Sequence, residues 1–167
     1  MKTPPISLKE ITCAMISELF ASEKKYLTLF KQLAEASHTE ELRTAVAPES
    51  TELESQISRL LLLLEQLKLK QSRVSSPVDE ELIIAAKNAI GFKKQTSLLK
   101  DIQILQIAKL IYNSKIAYYS SLQLLLLQLE MAQGSALMEQ SCTENRNNFA
   151  YLIQIEQNII YPQASKS

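Results

Sequence analysis

Few residues of this chain are equipped for chemistry, and most of those fall on lines that a helix would turn inward. Glu23 lies between Leu19 and Tyr26 on an apolar stripe, and Glu49, Glu52 and Gln56 flank a second stripe. Asn145, beside Glu144, stands on the line Met138, Cys142, Phe149 and Leu152. Lys115 interrupts the face formed by Leu105, Ala108, Tyr112, Tyr119 and Leu122, with Asn113 as a near neighbour. Carboxylates and histidines converging from four helices can hold two metal ions in a dry core. Here the set offers two or three carboxylates, no histidine and one ammonium. A lysine in place of a carboxylate changes the charge near a metal position by about two units, against what a divalent pair requires.

Other catalytic chemistries find no support. His38, the only histidine, falls in a tight turn and reads as a solvated polar residue. No Ser-His-Asp arrangement, HExxH, phosphate-binding loop or glycine-rich nucleotide loop is present. Tyr112, Tyr118 and Tyr119 recur at helical spacing and read as core aromatics, while Cys13 and Cys142 lack any CxxC spacing and read as small hydrophobes. The 18 basic and 18 acidic residues cancel, which argues against nucleic acid or an anionic membrane as partner and leaves little self-repulsion to oppose self-association. The first residues, MKTPPISLKE, contain no apolar signal region, and the leucine run Leu60 to Leu64 is too short to span a bilayer, so a cytoplasmic protein is expected.

The elements that must carry these residues are helices. With only two glycines in 167 residues and 46% hydrophobic content, the sequence predicts one all-α domain over 1–167. Ser7 with Glu10 forms a capping box that opens a helix over about 8–36, and Ser37 with Glu40 opens a second over about 40–69, where Pro48 should kink or break it. Ser76-Pro77 starts a short helix over about 78–90, with Val78, Leu82, Ala86, Ala89 and Ile90 inward and Gly91 ending it. Ser97 caps a third long helix over about 98–132; Gly134 separates it from a fourth over about 135–159, closed by Tyr161-Pro162. Hairpin, long crossover with a short helix, hairpin is the ferritin-like four-helix arrangement. The third long helix is apolar on more than one side, which predicts a homodimer through that surface.

Over about residues 8–159 the chain resembles the YciE/YciF-type ferritin-like proteins, bacterial stress-associated helical bundles. ELFASEKKYLTLFKQLAEAS looks like that family's first-helix segment, TEELRTAVAPESTELESQISRL can be laid on its second helix without a gap, and DIQILQIAKLIYNSKIAYYSSL matches the frame of its third. Carried over by position, the resemblance implies that Glu23, Glu52 and Gln56 retain metal-site residues. The family's Glu-His-Tyr-Glu cluster falls on Tyr112, Asn113, Ser114 and Lys115, and its acidic fourth-helix run falls on Thr143 to Phe149, keeping only Glu144 as an acid. The implied site is therefore vestigial, at Glu23, Glu52, Gln56, Tyr112, Asn113, Lys115, Asn145 and Phe149.

From these residues the expected protein is a non-enzymatic, self-associating bundle with no catalytic residue, cofactor or bound metal. Its stress connection rests on the resemblance alone. Lys115 is expected to pair with Glu23 and Glu52 in place of a metal, or else to run sideways to solvent while Tyr112 fills the space. Two rivals stand beside this reading. One is an oxidoreductase holding iron or manganese on Glu23, Glu49, Glu52 and Glu144, and the other is a module that offers its leucine-rich faces to another protein.

Overall fold

The computed structural model describes residues 3–4, 7–91 and 95–166. Helix α1, Leu8–Ala36, begins where the Ser7 side chain accepts the Glu10 amide at 3.1 Å. It buries Ile16, Leu19, Glu23, Tyr26, Phe30 and Leu33 along one line. Helix α2, Glu40–Val46, follows after a three-residue turn. The expected Ser37–Glu40 capping box does not form there. Ser37 donates its hydroxyl to the Leu33 carbonyl instead, and the amides of His38 and Thr39, which have no partner within the helix, are taken by the Asp101 carboxylate at 2.6 and 2.8 Å.

Proline breaks the second predicted helix rather than bending it. Ala47, extended as a residue before proline tends to be, leads into a 3-10 turn at Pro48–Ser50, and Glu52 is left-handed at φ 59°. Helix α3, Leu53–Gln66, then resumes the line, so that Leu42, Val46, Leu53, Leu60 and Leu64 stay buried across the interruption. It stops short of the expected residue 69 because Lys68 turns left-handed at φ 56°.

The crossover ends at α4, Pro77–Ile90, capped by Ser76 and terminated by Gly91 at φ 68°. Val78 is exposed rather than inward, and Asp79 and Ile83 take the buried positions of this helix. Helix α5, Leu98–Gln128, opens on the Ser97 cap. It ends four residues earlier than expected, because Glu130 adopts φ 58° and the Met131 and Glu130 amides close back on the Leu126 and Leu127 carbonyls.

Gly134 accordingly lies inside α6, Ala132–Ile155, and not between helices. A Cβ there would stand 2.8 Å from the Leu63 side chain, so its bareness lets α6 approach α3. The expected stop at Tyr161-Pro162 is also displaced. A π turn at Glu156–Ile160, in which the Tyr161 amide reaches the Glu156 carbonyl, carries the chain into α7, Tyr161–Ala164, where Pro162 sits in a first turn that needs no N–H from it.

The long helices pack as two hairpins joined by the α4 crossover, with α5 on α6 and α1 against both α2 and α3. No helix among the described residues is long and apolar enough to cross a membrane. The apolar core is divided in two. One cluster gathers Tyr26, Phe30, Leu33, Ile111, Tyr112 and Leu152; the other gathers Ile16, Leu19, Leu60, Tyr119, Leu122 and Met138. Between these layers fall the inward positions of Glu23, Gln56, Lys115 and Asn145, one from each long helix.

A left-handed backbone costs about 1–2 kcal/mol for a residue with a Cβ. Glu130→Gly should therefore raise stability by about 0.5–1 kcal/mol, after allowing for the freer unfolded chain, read as a higher urea midpoint. An unchanged or lower midpoint would show that the Glu130 side chain offsets the strain.

Candidate functional site

The polar layer follows from helical spacing. On α5, Tyr112, Lys115 and Tyr119 are three and four residues apart and lie on one buried face, so both Lys115 and Tyr119 reach the same point on α1. That point is Glu23. Its Oε1 lies 3.0 Å from Lys115 Nζ, and its Oε2 accepts the Tyr119 hydroxyl at 2.8 Å. The side chains of Lys115 and Glu23 are 1% and 0% exposed, so neither charge is solvated. Lysine therefore runs inward, not sideways to solvent.

The ion pair is close but not aligned as a hydrogen bond, which leaves Lys115 Nζ and Glu23 Oε1 short of directional partners. Tyr112 packs beside it, with the ammonium 5.8 Å from the ring centroid and its own hydroxyl buried without a partner. Burial pushes the Glu23 carboxyl above the usual carboxylate range, against the opposing pull of Lys115 and Tyr119. It likewise pushes the Lys115 ammonium down, with Glu23 opposing. Desolvation is thus the larger influence on both partners, opposed on Glu23 by Lys115 and Tyr119 and on Lys115 by Glu23, Asp79 and Glu144.

Two further polar groups flank the pair. Towards α4, the buried Asp79 accepts the hydroxyls of Tyr26 at 2.6 Å, Ser76 at 2.9 Å and Ser114 at 3.0 Å. Towards α3 and α6, Arg59 and Glu144 form a two-toothed pair with both contacts at 2.7 Å. Arg59 also donates to Ser141, and Gln56 donates to Glu144 at 3.1 Å while accepting from Asn145 at 3.2 Å. The Glu144 bond holds the Arg59 guanidinium above its ordinary range.

The remaining expected residues scatter. Glu52 is exposed on the left-handed cap of α3 and takes no part in the Lys115 pair, because the break at Pro48 swings that backbone outward; Glu49 is exposed on the same 3-10 turn. Asn113 faces solvent, and Phe149 is half-buried against the first apolar cluster. His38 is exposed with its ring 2.9 Å from the Thr96 hydroxyl, and both cysteines are free. Burial raises the Cys142 thiol, which disfavours the reactive thiolate. No grouping of three His, Cys, Asp or Glu side chains suited to a metal ion occurs among the described residues.

Sequence reasoning missed the roles of Tyr119, Asp79, Arg59 and Asp101. For Tyr119 the signal was available, since a tyrosine one helical turn from a buried lysine shares its neighbours. The others pair with residues 35 to 85 positions away, as Asp79 with Ser114 and Arg59 with Glu144 do, and helical period carries no sign of them.

The profile of the family described as Domain of unknown function (DUF892) matches residues 7–165. The fold is similar to that of the Escherichia coli stress protein YciF, with a TM-score of 0.85 and 21% identity over 98% of this chain and 100% of that one. It is also similar to YcfI of Rhodopseudomonas palustris, described as a candidate structural protein, with a TM-score of 0.79 and 18% identity over 91% of this chain and 96% of that one. No curated protein matches the sequence.

Removing one member of the central pair strands the other. Lys115→Met should cost about 3–5 kcal/mol at neutral pH, and Lys115→Met combined with Glu23→Gln should recover most of it. In the single variant the Glu23 carboxyl, raised further above its unfolded value, is accommodated only when protonated. Stability is then present at low pH and lost as pH rises through the folded pKa. Melting curves between pH 5 and pH 8 measure this, and a Lys115→Met protein as stable as the parent at both ends would refute the coupling.

Proposed function

This chain belongs to the DUF892 family, and we propose that it is a non-catalytic member of it: a self-associating ferritin-like bundle whose centre is held by a buried lysine where its likeness to the YciE/YciF-type proteins implies a metal pair. The observation that carries this reading is the 3.0 Å contact between Lys115 and Glu23, both sealed from solvent. A divalent ion prefers several anionic or strongly donating ligands. The central layer supplies one carboxylate, already engaged on one oxygen by an ammonium and on the other by Tyr119. Glu144 is held by Arg59, and Gln56 and Asn145 offer neutral amides turned to each other. Two fixed cations in or beside the layer repel a third. These residues do not fit a metal pair.

The oxidoreductase alternative loses support on the same grounds. Of Glu23, Glu49, Glu52 and Glu144, two are exposed on the turn before α3 and the others each have a cationic partner. One of the two similar structures is described as a candidate structural protein, which supports the non-catalytic reading; the other is described as a stress protein, and on that likeness we propose a role under stress, in the cytoplasm.

Elemental analysis tests the reading. Protein produced in medium rich in iron and manganese should purify with well under one metal per chain, and a chelator should leave its melting temperature unchanged. One or two equivalents of iron, manganese or zinc, lost with the chelator together with stability, would overturn it.

A further inference from the structure

We propose that the groove between α1 and α4 is a docking site for an acidic amphipathic helix of another protein, one that carries two carboxylates seven residues apart with apolar residues between them. This goes beyond the non-catalytic reading and does not depend on the central ion pair. The groove is open to solvent and has a volume of about 470 Å³. It begins at a clasp built from three elements. Lys25 of α1 is bonded to Glu80 of α4 and, at 2.8 Å, to Ser75 at the end of the crossover, and Ser75 also donates to Glu80. Lys25 and Ser75 hold the Glu80 carboxyl below its ordinary range, so Glu80 is ionised and cancels the Lys25 charge.

The clasp fixes the spacing of the two helices. Beyond it the lining continues forward on both, to Leu29 and Gln32 on α1 and to Ile83 and Lys87 on α4, so the helices run in the same direction here. Leu29 is 2% and Ile83 7% exposed, and together they make an apolar floor. Two cations are left over at the rims. Lys24 is exposed at the clasp end, with its ammonium 5.5 Å from the centre of the Phe20 ring, and Lys87 is exposed at the far end. Neither forms an ion pair among the described residues. Glu35 and Glu81, exposed on the same helices, lie outside the lining. A chain of zero formal charge thus carries a local positive excess in a groove with an apolar floor.

The placement of the two free lysines argues for the occupant. Lys87 follows Glu80 as Gln32 follows Lys25, so the far end of the groove is level with Gln32, about 12 Å along the α1 axis from Lys24. On a partner helix, carboxylates seven residues apart lie on one face about 10.5 Å from each other. The residues three and four along from the first turn to the same side, over Leu29 and Ile83. Such anchors at i, i+3, i+4 and i+7 are how grooves take up amphipathic helices, and a furrow between two packed helices accepts the ridge of a third. A second copy of this chain does not supply the pattern, because no two of its acidic residues stand seven apart.

Fluorescence anisotropy with the full chain tests the proposal. The probe is a helix-stabilised, fluorescein-labelled peptide of alanine and glutamine with two glutamates seven residues apart and leucines three and four after the first. It should bind saturably and more weakly as salt rises, and Lys24→Ala with Lys87→Ala should weaken it about tenfold, as the loss of two exposed ion pairs would. Both lysines are exposed, so the double variant should keep the parent's circular dichroism and melting temperature. A peptide with glutamines in place of the glutamates should bind the parent no better than the glutamate peptide binds the variant. No saturable binding, or binding indifferent to both lysines, overturns the proposal. So does saturable binding of inorganic pyrophosphate at these lysines with none of the peptide, which would assign the groove to a small anion. None of these results alters the metal content on which the non-catalytic reading stands or falls.

Discussion

A lysine and a glutamate sealed side by side in the middle of a helical bundle constrain everything packed around them. Removing two charges from water costs more than their attraction returns unless neighbouring dipoles and exact register support them. Here Tyr119 supplies one hydrogen bond to Glu23, and Asp79 and Glu144 add negative charge on either side of Lys115. Sliding any long helix by one turn would set a charge against an apolar layer. The pair therefore favours one register of α1 against α5, and the Arg59–Glu144 pair does the same for α3 against α6, in the way that a single buried polar residue specifies register in coiled coils. The apolar clusters on either side contribute the bulk of the stability, and the layer between them contributes uniqueness.

The same constraint explains the unusual economy of α5. Its acid caps the turn between α1 and α2, and two of its lysines are drawn into contacts with Glu23 and Glu156. Three of the four charged residues of this helix thus serve internal contacts and not its outer face. Core chemistry and surface chemistry are thus linked through one segment.

Much of the fold was legible in the sequence because helical periodicity and capping are local. Ser7, Ser76, Ser97 and Gly91 do what their types and positions indicate, and the face Leu105, Ala108, Tyr112, Lys115, Tyr119 and Leu122 is buried throughout. The boundaries that moved were set by backbone choices that side-chain pattern does not encode. Lys68 and Glu130 make left-handed caps without glycine, and the π turn shifts the helical frame just before Pro162. At the candidate site, Glu23 and Lys115 could be read from the stripe they interrupt. Glu52 could not be placed, because a break one turn earlier decides whether a residue faces in or out. The partners that complete the layer, Arg59 with Glu144 and Tyr26 with Asp79, join helices distant in sequence, and a single sequence records no trace of such pairings.

The account stands on what occupies the centre of the bundle, and anomalous X-ray diffraction from crystals of protein grown with iron and manganese sees it directly. The account predicts no anomalous peak within the layer, with Lys115 Nζ in contact with the Glu23 carboxylate near the 3.0 Å found here. A metal peak between Glu23 and Asn145, or a Lys115 side chain turned out to solvent, would contradict it.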